Sequence, residues 1–99
     1  MINHVVLFKL KAYPAEEKSQ IIANVKAMLL GLKGKIDELK YIEVGENYEL
    51  DSKSFDLALI THFESVEGLD VYRVHPEHVK VAAYIGGVVE ARAAVDFNF

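Results

Sequence analysis

The densest run of chemistry-bearing side chains is Tyr72-x-x-His75-Pro76-Glu77-His78. Proline is favoured at the first position of a helix, where its missing N–H would have had no partner anyway. With Pro76 there, His75 falls at the cap, His78 at the third helical position and Tyr72 one turn earlier. A capping imidazole accepts a hydrogen bond from a free backbone N–H, which is a structural duty. His78 instead lies near the positive end of the helix dipole, which favours the neutral ring. A neutral imidazole takes up a proton, so the position suits a general base. Glu77 acts in the opposite sense, by favouring the charged form.

His4 and His62 stand singly in strand-like segments, the ordinary setting of a packed or edge residue. Two histidines three apart also admit a shared metal ion, but a third ligand is needed and Glu77 points elsewhere on a helix. Neither a metal nor a cofactor is therefore expected. A Gly-rich phosphate loop, a nucleophile elbow and a zinc-protease motif are all missing from the sequence. So is cysteine, which excludes disulfides, thiolate metal sites and thiol nucleophiles, and a reducing cytoplasm fits.

Several elements must position the histidine segment. Residues 2–11 are β-branched and aromatic and read as a strand, with His4, Val6, Phe8 and Leu10 on one face and Val5 and Leu7 on the other. Pro14 fits a first helical position, with Glu16 and Glu17 at the positive end of the dipole. Ile21, Ile22, Val25, Met28, Leu29 and Leu32 then make one apolar stripe, and Gly34 is a plausible stop. Residues 39–47 read as a second strand with a bulge or bend at Gly45, followed by a polar connection over 46–54. Residues 55–63 form a third strand. Ser65 caps a short helix that carries Leu69 and Tyr72. Residues 75–85 form another short helix, broken by Gly86 and Gly87, and residues 91–99 a last strand.

The order β-α-β-β-α-β is that of ferredoxin-like α+β domains, in which helices cover one face of a four-stranded antiparallel sheet. The chain has 99 residues, 52% of them apolar, and reads as one domain over 1–99. No stretch approaches the roughly 18 apolar residues of a membrane span. The net charge of −4, all of it arising in the second half, argues against a nucleic-acid partner. An uncovered sheet face should be polar. In the first and third strands both faces are apolar, so something must cover the second one. A second copy of the chain is the simplest cover, which predicts a homodimer.

The runs His4-Val5-Val6-Leu7-Phe8-Lys9, Val44-Gly45-Glu46-Asn47, Phe63-Glu64-Ser65, Tyr72-x-x-His75-Pro76-x-His78-Val79 and Val95-Asp96-Phe97 together resemble the stress-responsive dimeric α/β-barrel (Dabb) family. The resemblance covers residues 2–97. It implies a protomer whose sheet packs on a partner's sheet to close a barrel. A plant polyketide cyclase of similar sequence closes a ring by an aldol step without a cofactor. There a histidine matching His78 is the acid/base, and a tyrosine matching Tyr72 orients it or the substrate. His4, Val6, Phe8 and Leu59 match residues lining that pocket, while Leu57 stands where the cyclase has a further histidine. The expected function is binding of a small organic molecule in an apolar pocket, with His78 and Tyr72 catalytic and His4, Val6, Phe8, Leu59 and His75 in contact with the ligand. The alternative is a non-enzymatic stress-protection or assembly protein whose histidines are structural. A cofactor-independent monooxygenase, a class with the same dimeric architecture, finds no supporting motif.

Overall fold

A computed structural model describes residues 1–48 and 53–99. The chain runs β1 (Ile2–Leu10), α1 (Ala15–Leu30), β2 (Tyr41–Glu46), β3 (Leu57–Phe63), α2 (Val66–Val74), α3 (Pro76–Val88) and β4 (Val89–Asn98). The strands form one antiparallel sheet in the order β2-β3-β1-β4, the ferredoxin-like arrangement, with its second helix divided into α2 and α3.

Alternation along β1 and β3 decides where the core lies. His4, Val6, Phe8 and Leu10 of β1 and Leu57, Leu59, Thr61 and Phe63 of β3 are buried, facing Val25 and Leu29 of α1, Tyr72 of α2 and Val81 and Ile85 of α3. The opposite face carries Val5 and Leu7, in register with Ile60 and Ala58 on one side and with Val95 and Ala93 on the other. Leu7, Val95 and Phe97 are exposed there, Val95 at 56%. His62 lies on the same face, its ring between those of Tyr41 and Phe99 at 4.6 and 4.7 Å.

Several local expectations need correction. Pro14 lies one residue before α1, as its N-cap, and its carbonyl accepts the Lys18 N–H at 2.8 Å. The helix ends at Leu30, and Gly34 serves the turn beyond it, where its φ of +93° suits a residue without Cβ. Gly45 makes no bulge: it pairs in regular register with Ala58. The third strand begins at Leu57 rather than residue 55, and the polar connection over 46–54 lies partly outside the described residues, at 49–52. Gly86 and Gly87 do not break α3. Each costs the helix about 1 kcal/mol relative to alanine, and burial of Val81 and Ile85 offsets that cost. The end of α3 is tied to β1, because the Lys11 N–H donates to the Val88 carbonyl at 2.9 Å.

Among the described residues Asp56 is the buried carboxylate. It accepts the Leu10 N–H at 2.7 Å and pairs with Lys18 at 3.0 Å, joining β1, the start of β3 and the first turn of α1. Asp56→Ala leaves the Leu10 N–H without its partner, and urea unfolding should show a loss of about 2–3 kcal/mol.

Candidate functional site

The break between α2 and α3 builds the site. A residue preceding proline is pushed into extended backbone, and His75 adopts φ −63° and ψ 134°. The helix must therefore stop at Val74 and restart at Pro76. His75 closes both ends: its N–H donates to the Tyr72 carbonyl at 3.2 Å, and its Nδ1 accepts the Glu77 N–H at 3.1 Å. The interruption leaves the Arg73 carbonyl without a helical donor. His78 supplies one, with Nδ1 at 3.1 Å from that oxygen. A carbonyl only accepts, so Nδ1 carries the proton and Nε2 of the neutral ring carries a lone pair.

His78 is half-buried and its pKa is lowered. Burial is the largest cause, the hydrogen bond to Arg73 opposes it, and repulsion from His4, Arg92 and His75 adds to it. Tyr72 is completely buried, its ring centroid 4.3 Å from that of His78, 4.9 Å from Phe63 and 6.3 Å from His4. Burial pushes its phenol up to about 12, so it stays a neutral donor at physiological pH. The hydroxyl has no hydrogen-bond partner among the described residues, although such an orphaned buried group costs about 1–3 kcal/mol.

These groups line a cavity of about 410 Å³ between the sheet, α2 and α3. Its walls include every expected site residue except His75: His78, Tyr72, His4, Val6, Phe8 and Leu59. His75 is the helix cap described above and is not a wall residue. Sequence reasoning missed Arg73, Arg92 and Asp96, which also line the cavity. Asp96 joins two of the walls: one carboxylate oxygen is hydrogen-bonded to Nδ1 of His4, and the other accepts from Arg73 at 2.9 Å. The missed signal was alternation in β4. Ala93, Val95 and Phe97 take the outer face, so Arg92, Ala94 and Asp96 take the inner one, in register with Phe8, Val6 and His4. A polar strip facing the helices marks a space that side chains do not fill. Gly86 adds to that space, since it lines the cavity and a Cβ there would meet nothing within 4 Å.

Fold and site together define a ferredoxin-like domain with a mostly apolar cavity under its helices and a neutral histidine and a tyrosine in the wall. The chain belongs to the stress-responsive A/B barrel domain family, Dabb, whose pattern matches residues 2–99. An uncharacterised protein of Streptomyces coelicolor is 31% identical over 78 residues, 79% of either chain. A dimeric protein of unknown function with a ferredoxin-like fold from Bacteroides fragilis is 34% identical, with a TM-score of 0.90 over 99% of this chain and 95% of its own. A hydroxynitrile lyase from Passiflora edulis shares the fold at 19% identity, with a TM-score of 0.77 over 97% of this chain and 90% of its own.

The lowered pKa of His78 has a defined sign. The unfolded chain binds more protons than the folded one between the folded value and the ordinary 6.5, so stability rises with pH through that window and is complete above it. In side-chain ¹H–¹⁵N spectra His78 should titrate below 6.5 with its proton on Nδ1. His78→Gln should remove its part of the decline in stability that follows as pH falls below 6.5.

Proposed function

We propose that this protein binds a small organic carbonyl compound in the cavity under its helices and catalyses proton transfer at the carbon next to the carbonyl. The observation that carries this reading is that two residues with unused hydrogen-bonding capacity line one mostly apolar cavity: His78, with its lone pair on Nε2, and Tyr72, whose buried hydroxyl has no partner among the described residues. A volume of about 410 Å³ lies within the ordinary range of small-molecule sites. Nε2 removes a proton from the α-carbon, the C–H electron pair moves into the carbonyl group, and the Tyr72 hydroxyl donates to the resulting enolate oxygen. The enolate then either takes a proton back or attacks a second carbonyl of the same molecule, as in an aldol closure. Neither path calls for a cofactor. Val6, Phe8 and Leu59 supply the apolar walls, and His4, held by Asp96, supplies a polar one.

Hydrogen–deuterium exchange at the α-carbon of aryl ketones and β-diketones tests this. Wild type should accelerate exchange, and His78→Ala should reduce that acceleration by about 10²–10⁴-fold. Tyr72→Phe should cost roughly 10²-fold while leaving stability level or raising it, because it deletes an orphaned hydroxyl. Exchange equal to that of buffer across the panel, with both variants destabilised, would instead favour the non-enzymatic role in which the histidines only support the fold.

We further propose that the working form is a homodimer closed through the outer sheet face. Exposed Leu7, Val95 and Phe97, continuous with Val5 and Ile60, support it, as does the dimeric state of the Bacteroides fragilis protein. Sedimentation equilibrium should give twice the 11.1 kDa chain mass, and Val95→Asp should shift it to the monomer. A monomeric wild type would refute the dimer.

A further inference from the structure

Arg92 is unlike the other charges in the cavity wall. Arg73 and Asp96 pair with each other, Asp96 also holds His4, and Arg73 reaches Asp70 at 3.2 Å. Arg92 makes no hydrogen bond or ion pair among the described residues. The Arg73 and Asp96 charges offset each other, which leaves the positive charge of Arg92 unbalanced in the wall. Its position is also specific. Arg92 is on the inner face of edge strand β4, in register with Phe8, four residues along from the pairing of His4 with Asp96. At about 3.3 Å per residue, the two ends of this polar strip lie roughly 13 Å apart along the strand. An arginine with only solvent to meet would satisfy itself equally well on the outer or free edge of β4. Arg92 is exposed to solvent but belongs to the wall of a mostly apolar space, where its five donors make an oxyanion the matching guest.

We propose that Arg92 is the anion-recognising residue of the cavity, and that the ligand is a carbonyl compound with a carboxylate at the end remote from the reacting carbon. The assignment rests on the acid–base reading of the same cavity and narrows its substrate class. The guanidinium fork takes both carboxylate oxygens, Val6, Phe8 and Leu59 cover the apolar middle, and the carbonyl reaches Tyr72 and His78. Arg92 thereby has a second effect. Its charge is among those that disfavour protonated His78, and a bound carboxylate cancels it, raising the basicity of Nε2 only when the substrate is in place.

The test compares 6-oxo-6-phenylhexanoate, an aryl ketone whose carboxylate lies at the far end of a four-methylene chain, with its neutral carboxamide, followed through the side-chain ¹⁵N signals of His78 and Arg92. Wild type should bind the carboxylate at least about tenfold more tightly at low salt, as a charge-assisted bidentate pair predicts. Arg92→Gln should bring the two affinities within about twofold by weakening the carboxylate alone. Arg92→Lys, which keeps the charge but loses the fork, should fall between them. The pKa of His78 should rise with the carboxylate and not with the carboxamide. Equal affinities in wild type, or a preference that survives Arg92→Gln, would overturn the role of Arg92 while binding of both compounds upheld the cavity as a carbonyl site. No response of either side chain to either compound would overturn both proposals.

Discussion

Pro76 is the constraint on which the site depends. Without it, residues 66–88 have the pattern to continue as one helix, and the Arg73 carbonyl would be spent on an ordinary backbone donor. Proline drives His75 out of helical backbone, and the Glu77 N–H that would have served that carbonyl donates to the His75 ring instead. The helix restarts at Pro76, with His78 in its first turn and the Arg73 carbonyl left for the ring. One covalent restriction therefore sets the position of the base, its tautomer and the depth of the cavity. The cost of two extra helix ends is met locally, since the single residue His75 caps both.

The two faces of the sheet divide the labour. Under α1 and α2 the inner face is closed by Phe63, Leu59, Leu29 and Tyr72. Toward β4 the helices leave it open, and the strand presents Arg92, Ala94 and Asp96 instead of bulky apolar side chains. The slight apolar excess of the composition sits on the outer face, in Leu7, Val95 and Phe97. The same strand is thus polar toward the helices and apolar away from them, the reverse of an ordinary solvated edge.

Much of this arrangement was legible in the sequence, and the exceptions share a cause. Strands and helices with strong local periodicity are placed correctly, and Ser65, His75 and Pro76 announce their caps through chemistry that acts within three residues. Gly86 and Gly87 deceived because helix propensity is a local quantity, whereas the packing of Val81 and Ile85 that carries the helix through them is tertiary. Pro14 and Gly34 mark the ends of α1 to within a turn, Pro14 as its N-cap and Gly34 in the turn that follows Gly31. In the site, Tyr72 and His78 were visible through their spacing. Arg92 and Asp96 were hidden because each looks like a surface charge until strand pairing sets them opposite Phe8 and His4, about ninety residues away in the chain for Asp96.

Helix α3 passes into β4 without a loop, Val88 ending one and Val89 beginning the other. Together with α2, this makes residues 72–96 a single unbroken stretch that bears Tyr72, Arg73, His78, Arg92 and Asp96, and among the described residues only His4 of the polar wall comes from elsewhere. The first half of the chain is then chassis and the second half cargo. Ligand preference can be rewritten within some 25 consecutive residues while the half that builds most of the core stays as it is. In a lineage that diversifies by exchanging short segments, a new specificity would travel as one inherited block.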